Sequence, residues 1–248
     1  MRVSIITACY NRAGTIAHAL RSVSGQTYPH LEHIVVDGGS TDGTLAAVAA
    51  HRPPVARLIP GPDRGIYDAL NKGVAASTGD IVGFLHSDDF YAGDDIIAAV
   101  AAEMERGGLE ALYGDVAYVR PGDVERVVRV FSSRRFRPSR IAWGWVPAHP
   151  ALFVSRSLFE RFGEFKTDYQ IAGDFEFIAR IFAQPRFRYA YLPRVLVNMR
   201  MGGISTRGWR STVLGNREIL RACRENGIRT NYLKILSKYP AKLLEFLP

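Results

Sequence analysis

Cysteine and long apolar runs are what this 248-residue chain has least of. The two cysteines, Cys9 and Cys223, stand far apart, which leaves no disulfide framework and no zinc-type spacing and fits a reducing compartment. No stretch approaches the ~20 consecutive apolar residues that a membrane-spanning helix needs. The opening MRVSIITACYNR has too short an apolar run for a secretory leader and no small-residue cleavage pattern. These absences predict a cytoplasmic protein, held on the inner face of a membrane at most from one side. Internal repeats and low-complexity linkers are also lacking. What is present is ordinary for a globular chain, with 47% hydrophobic and 23% charged residues, so a sizeable core is expected. The formal charge of +8 is uneven. Residues 1–100 hold 7 Lys and Arg against 10 Asp and Glu, whereas residues 200–248 hold 10 against 3. The excess therefore belongs to the C-terminal end, a distribution that favours one face meeting an anionic surface. No nucleic-acid module accompanies it, and no nucleic-acid partner is expected.

The first hundred residues alternate between two periodicities. Apolar strand-like runs fall at Val3–Ala8, His33–Asp37, Val55–Pro60 and Ile81–Leu85. Helical faces lie between them, for example Ile16, Ala19, Leu20 and Val23, and then Ile66, Ala69, Leu70 and Val74. Alternation of this kind predicts a parallel sheet with right-handed crossovers. A helix is expected over about Asp94–Arg106, ended by Gly107–Gly108. Beyond it a hairpin is expected about Pro121–Gly122–Asp123, then a strand at Ala151–Val154, helices at Ser155–Phe162 and around Phe175–Phe182, and an extended run at Tyr189–Asn198. A glycine-containing loop at Met201–Thr206 precedes a last long helix to about Asn226.

The segment DIVGFLHSDD, Asp80 to Asp89, carries the most chemistry. Its apolar run ends abruptly on two adjacent carboxylates, Asp88 and Asp89. Ligands of α/β proteins bind at the carboxyl ends of strands. Neighbouring carboxylates repel unless a cation or donor offsets them. Hard cations such as Mg²⁺ or Mn²⁺ prefer oxygen and bridge carboxylate to phosphate. A metal–phosphate site at a strand end is one reading, and a solvated turn with a capping aspartate is the other.

Five segments then occur in a telling order: TACYNR at 7–12, VVDGGSTDGT at 35–44, DRGIYDALNKG at 63–73, HSDD at 86–89 and AGDFEF at 172–177. Together they resemble the family 2 glycosyltransferases with the GT-A fold, closest to bacterial enzymes that build exopolysaccharide or capsule repeats. The likeness spans roughly residues 2–206. It implies an α/β, Rossmann-like, mostly parallel central sheet flanked by helices. The nucleotide-sugar half would cover 1–110, the acceptor half 111–206, and a helical extension 207–248. It also implies a hexosyltransferase-type, metal-dependent, inverting enzyme that uses a nucleotide diphosphate sugar, UDP-linked above all, and a saccharide or lipid-linked acceptor.

The resemblance assigns roles to particular residues. Thr7, Tyr10, Asp37 and Arg64 would hold the nucleoside, with Asp37 accepting from the base. Asp88 would orient the ribose, and Asp89 would bind a divalent metal, Mn²⁺ or Mg²⁺. Asp174, where a helix opens, would be the general base, its ionised form favoured by the helix dipole. The family often has an acid before this aspartate, where this chain has Gly173, and Glu176 stands as the fallback. Ser40 and Asp42 are read as capping residues. Trp143, Trp145 and His149 are candidates for an acceptor wall, with core packing as the alternative. Arg200, Gly203 and Arg207 flank or fill a loop that would close over the donor.

Beyond Tyr232, apolar residues at 233, 236, 239, 243, 244 and 247 alternate with Lys234, Lys238 and Lys242. This is the pattern of a basic amphipathic helix, either lying on an anionic membrane or docked on the body. Two other function classes compete with the transferase. A nucleotidyltransferase would carry a glycine-rich phosphate loop near the first strand, and TACYNR lacks one. A non-catalytic nucleotide-sugar or carbohydrate-binding protein would need no base.

Overall fold

The computed structural model describes residues 1–202 and 208–239. Strand β1 (Val3–Cys9) leads to helix α1 (Ile16–Ser24), β2 (Leu31–Asp37), α2 (Thr44–Ala50), β3 (Arg57–Pro60), α3 (Ile66–Ala76) and β4 (Ile81–Phe84). The buried runs of β1 and β4 are apolar throughout apart from Ser4, Thr7 and Gly83, as expected for strands covered on both faces. A two-residue strand, β5 (Phe90–Tyr91), follows the aspartate pair directly. Next come α4 (Ile96–Gly107), β6 (Ala111–Arg120), β7 (Asp123–Phe131), β8 (Leu152–Ser155), α5 (Ser157–Phe162), α6 (Gly173–Phe182), β9 (Tyr189–Arg200), α7 (Gly208–Glu225) and α8 (Tyr232–Leu236). Two short 3₁₀ turns, Pro138–Trp143 and His149–Ala151, lie between β7 and β8.

One sheet runs β3-β2-β1-β4-β8-β6-β9-β5, with β7 also pairing to β6. The first four strands are parallel: Val3 lies opposite Leu31 on one side and Ile81 on the other. The chain therefore steps outward from β1 through β2 to β3 and then returns to the far side of β1 with β4. That reversal is the topological switch point where open α/β sheets bind ligands. Strand β8 adds antiparallel to β4, and β6 antiparallel to β8, while β6 and β9 are parallel. Strand β6 is long enough to pair β8 with its first half and β7 with its second.

Helices cover both faces. On one, α3, α5, α6 and α7 build a core with Tyr67, Leu70, Phe159, Phe177, Ile178, Leu220 and Cys223. On the other, α4 packs Ile96, Ile97 and Val100 against Ile5 and Phe153 of the sheet, while Ile16 and Leu20 of α1 meet Val35 and Val48. Helix α7 thus shares the core of α6, and Ile235 of α8 is buried in the same cluster. No helix among the described residues is long and apolar enough to cross a membrane.

Candidate active site

At the switch point the loops after β1 and β2 lock together. Asn11 takes a left-handed conformation (φ 51°), which asparagine tolerates better than most residues. Its N–H donates to Ser40 Oγ (2.8 Å), and its side-chain oxygen accepts from the Thr41 N–H (2.9 Å). The Arg12 N–H donates to Thr44 Oγ1 and the Ala13 N–H to Asp42 Oδ2. Ser40 and Asp42 are therefore structural: Asp42 also accepts the Thr44 N–H (2.9 Å) at the start of α2, whereas Ser40, expected to cap that helix, bonds Asn11 and Asp37 instead and Gly43 stands at the cap position. The lock leaves the Tyr10 ring 59% exposed at the end of β1, a flat surface on which a base can stack.

Thr7 and Asp37 sit deeper than the resemblance implies. Thr7 is fully buried within β1 and exchanges a 2.9 Å hydrogen bond with the buried His33 ring. Its hydroxyl faces the neighbouring strand, so a ligand at the sheet edge meets only the loop beyond it. Asp37 is fully buried too. Its Oδ1 accepts the Gly39 and Ser40 N–H groups at 3.0 and 2.8 Å. Its Oδ2 accepts the Ser40 hydroxyl at 2.5 Å and the Cys9 thiol at 3.5 Å. Burial and Asp37 together push the Cys9 thiol up to about 12, so it is a neutral donor.

The doublet lies on the loop from β4 to β5, across the switch point from Tyr10. Asp89 is 2% exposed. Burial, and then the charge of Asp88, raise it well above the ordinary carboxylate value. Arg200, at the end of β9, braces this loop. Its N–H donates to Asp89 Oδ1 (3.2 Å), and its guanidinium donates to the Asp88 carbonyl and shares a 2.6 Å hydrogen bond with the His18 ring. The guanidinium also lies 5.2 Å from the Phe90 ring, on which His18 stacks at 4.2 Å. Arg200 is thus engaged in the wall of the site, where a diphosphate-reaching group was expected. Among the described residues no cluster of three or more His, Cys, Asp or Glu forms. One or two carboxylates, completed by phosphate oxygens and water, are what Mg²⁺ and Mn²⁺ sites commonly use, so the doublet fits such an ion.

Asp174 stands in the first turn of α6, with Oδ1 2.8 Å from the Phe175 N–H and 3.5 Å from the Tyr67 hydroxyl. The helix dipole was expected to favour its ionised form. Burial outweighs that effect and pushes the pKa up to about 6, with the backbone hydrogen bonds opposing. Glycine is required just before it, since a Cβ on Gly173 would fall 2.7–2.9 Å from the Tyr67 ring. That close packing accounts for the missing acid. The Tyr67 hydroxyl also donates to the Ile171 carbonyl (2.8 Å). Glu218 of α7, only 7% exposed, accepts the N–H groups of Gln170, Ile171 and Ala172 at 2.8, 2.9 and 2.7 Å. The loop that presents Asp174 is therefore held from two sides. Sequence reasoning left Tyr67 open and missed Glu218, although an acid on the buried face of a basic helix was a visible signal. Glu176 is fully buried between Lys166 (3.1 Å) and Arg180 (2.9 Å), a structural ion pair that removes it as a fallback.

The remaining candidates separate. His149 is not a surface wall: it is buried, stacks on Phe84 at 4.8 Å and lies 5.8 Å from His86, and burial pushes it down to about 3. Phe84 and Phe165, 5.3 Å apart, connect this cluster to Tyr67, so one aromatic layer underlies both the doublet and Asp174. Trp143 is exposed, with the Lys234 ammonium 5.6 Å from its ring, and Trp145 is half-buried. Arg64 pairs with Asp68 (2.9 Å) and lines a cleft shared with Lys72 and residues 164–168. Gly203 and Arg207 lie outside the described residues.

Comparisons with known proteins agree with this fold. The family described as "Glycosyl transferase family 2" matches residues 4–163. An uncharacterised glycosyltransferase of Mycobacterium tuberculosis (strain CDC 1551 / Oshkosh) is 38% identical over 182 residues, covering 72% of this chain and 68% of the relative. Among solved structures, Staphylococcus aureus TarS residues 1–349 in complex with UDP superposes with a TM-score of 0.66 at 18% identity, over 90% of this chain and 65% of that one. The mannosyltransferase PcManGT of Pyrobaculum calidifontis, in complex with GDP-Man and Mn²⁺, gives a TM-score of 0.61 at 26% identity, over 89% of this chain and 64% of that one. The GT-A fold expected from the five segments is the fold found, and the chain belongs to glycosyltransferase family 2.

Proposed function

We propose that this chain transfers a sugar, with inversion, from a nucleotide diphosphate sugar to a hydroxyl of a saccharide or lipid-linked saccharide in cell-surface polysaccharide synthesis. The observation that carries the reading is Asp174, a half-buried carboxylate held above the same aromatic layer as the Asp88–Asp89 doublet. The base stacks on Tyr10, Asp88 orients the ribose, and the diphosphate lies over the loop after β4. A divalent ion on Asp89 would offset the charge gathering on the leaving diphosphate. Asp174 takes the acceptor hydroxyl's proton as that oxygen bonds to the anomeric carbon, and the bond to the diphosphate breaks with its electron pair leaving on phosphate oxygen. General-base assistance of this kind contributes about 10²–10⁴-fold.

The test separates chemistry from binding. Asp174→Asn should cut turnover by about that factor while a calorimetric titration with the nucleotide donor stays near wild type. Equal, mild losses in both would sink the assignment. The outward face of α8, with Tyr232, Leu233, Leu236 and Lys234, is read as an anionic-membrane contact that brings the enzyme to a lipid-linked acceptor.

A further inference from the structure

We infer that His18 is a positioning residue for the metal site: it holds the Arg200 guanidinium off the Asp88–Asp89 carboxylates and so leaves their oxygens open to a divalent cation. This rests on the metal-assisted reading above. Arg200 is the cation that meets the doublet. Its main-chain N–H donates to Asp89 Oδ1 (3.2 Å), and its guanidinium donates to the Asp88 carbonyl. Yet among the described residues it forms no ion pair with either carboxylate, and both side-chain oxygens of Asp88 and Oδ2 of Asp89 have no hydrogen-bond partner. An arginine within reach of two such carboxylates ordinarily takes a bidentate, charge-assisted pair. His18, on α1, explains why this one does not. Its Nδ1 lies 2.6 Å from Arg200 Nη2. A guanidinium only donates, so Nδ1 is the acceptor and the ring is neutral. Burial and the charges of Arg200 and Arg21 hold that ring below its ordinary pKa, with Glu125 opposing them. The ring stacks on Phe90 at 4.2 Å and 19°, and the guanidinium lies 5.2 Å from the same ring. Phe90 follows Asp89 directly and is fixed opposite Asn198 where β5 pairs with β9.

The guanidinium is thereby committed to a main-chain oxygen and a neutral ring. Arg200 orients the doublet's loop through its backbone and leaves the carboxylates unpaired. Without an acceptor at position 18, the freed Nη2 turns to a carboxylate of the doublet. A guanidinium there would occupy the oxygens and set a positive charge beside the place of the cation, and both effects weaken binding of Mg²⁺ or Mn²⁺.

Calorimetric binding of Mn²⁺, alone and with UDP, tests this on four variants, with melting temperatures as the check on folding. His18→Phe keeps a ring on Phe90 but lacks the acceptor. It should weaken Mn²⁺ binding by about tenfold or more while the melting temperature stays near wild type. His18→Asn offers an amide oxygen in place of Nδ1 and should restore the affinity to within about threefold of wild type. Arg200→Met sets its own level of affinity. Adding His18→Phe to it should change nothing further, because the competing charge is gone. If His18→Phe does not fold, His18→Ala set against His18→Asn makes the same comparison. Wild-type Mn²⁺ affinity in His18→Phe, or an equal loss in the Arg200→Met background, would show that His18 does not act through Arg200; the inference is then overturned and the metal reading survives. Should wild type bind no Mn²⁺ with or without UDP, the metal reading falls and takes the inference with it.

Discussion

Asp174 is a residue pulled in two directions. The first turn of a helix supplies N–H dipoles that favour a charged carboxylate, and burial opposes them. Burial prevails, and the group titrates at about 6. A base titrating near the working pH is mostly ionised at pH 7 yet holds a proton better than an exposed aspartate, which suits general-base work. The sign follows directly. Protonation below about 6 removes the base, so turnover should fall as pH drops through that value and level off above about 7. The same raised pKa means the folded state binds this proton more tightly than the unfolded one. Its effect on stability is therefore favourable at low pH and fades as pH rises through about 6. A kcat–pH profile checks the first statement: an acidic limb near 6 in wild type, absent from the residual activity of Asp174→Asn. A flat profile down to pH 5 would refute the base assignment.

At the scale of elements, much of the site was legible because short motifs end strands and open helices. The apolar run before HSDD has to be a buried strand, so the doublet has to emerge at a strand end. AGDFEF opens a helix because aspartate suits a first turn before an apolar stripe, while Gly173 is there for its packing against Tyr67. What could not be read was side-chain engagement set by contacts far apart in sequence. Thr7 faces His33 across two strands, His149 lies beneath Phe84, and Arg200 is bound to His18, 182 residues away. Glu218 belongs to this class. Three backbone N–H groups of the Asp174 loop depend on one carboxylate of α7. Leaving a buried N–H unsatisfied costs about 1–3 kcal/mol. Glu218→Ala should therefore lower the melting temperature and cut kcat by tenfold or more, with donor affinity little changed. In the milder Glu218→Gln, loss of a negative charge near Asp174 should move the acidic limb of the kcat–pH profile to lower pH. An unmoved limb together with wild-type kcat would show that α7 does not position the base.

At the scale of the whole molecule the charge gradient finds its place. The first hundred residues, which hold the Asp37, Asp63 and Asp88–Asp89 loops, are net acidic, and the last 49 are strongly basic. Of the two readings of the basic tail, the docked helix describes α8, and the membrane contact is the proposal made above for its outer face. It docks through Ile235, which is fully buried, and Tyr239 beyond it exchanges hydrogen bonds with Asn216 of α7 at 2.9 and 3.2 Å. Its outer face leaves Leu233 81% exposed, with Leu236 and Tyr232 also exposed, and the exposed Trp143 of the first 3₁₀ turn lies beside Lys234. Residues 240–248, where the apolar and lysine pattern continues, lie outside the described residues. Lys238, expected on the polar side, is buried, but exposed leucines beside Lys234 suit the interface of an anionic bilayer, where buried leucine and neutralised lipid charge both contribute. Burying one leucine is worth roughly 1.5–3 kcal/mol. Leu233→Glu with Leu236→Glu should therefore weaken binding to phosphatidylserine-containing vesicles by at least two orders of magnitude in a flotation assay. Ile235 is untouched, so the melting temperature and turnover on a soluble acceptor should stay near wild type. Wild-type binding should also weaken sharply in raised salt and on vesicles of neutral lipid. If the double variant floats with anionic vesicles as well as wild type does, this face of α8 is not a membrane contact.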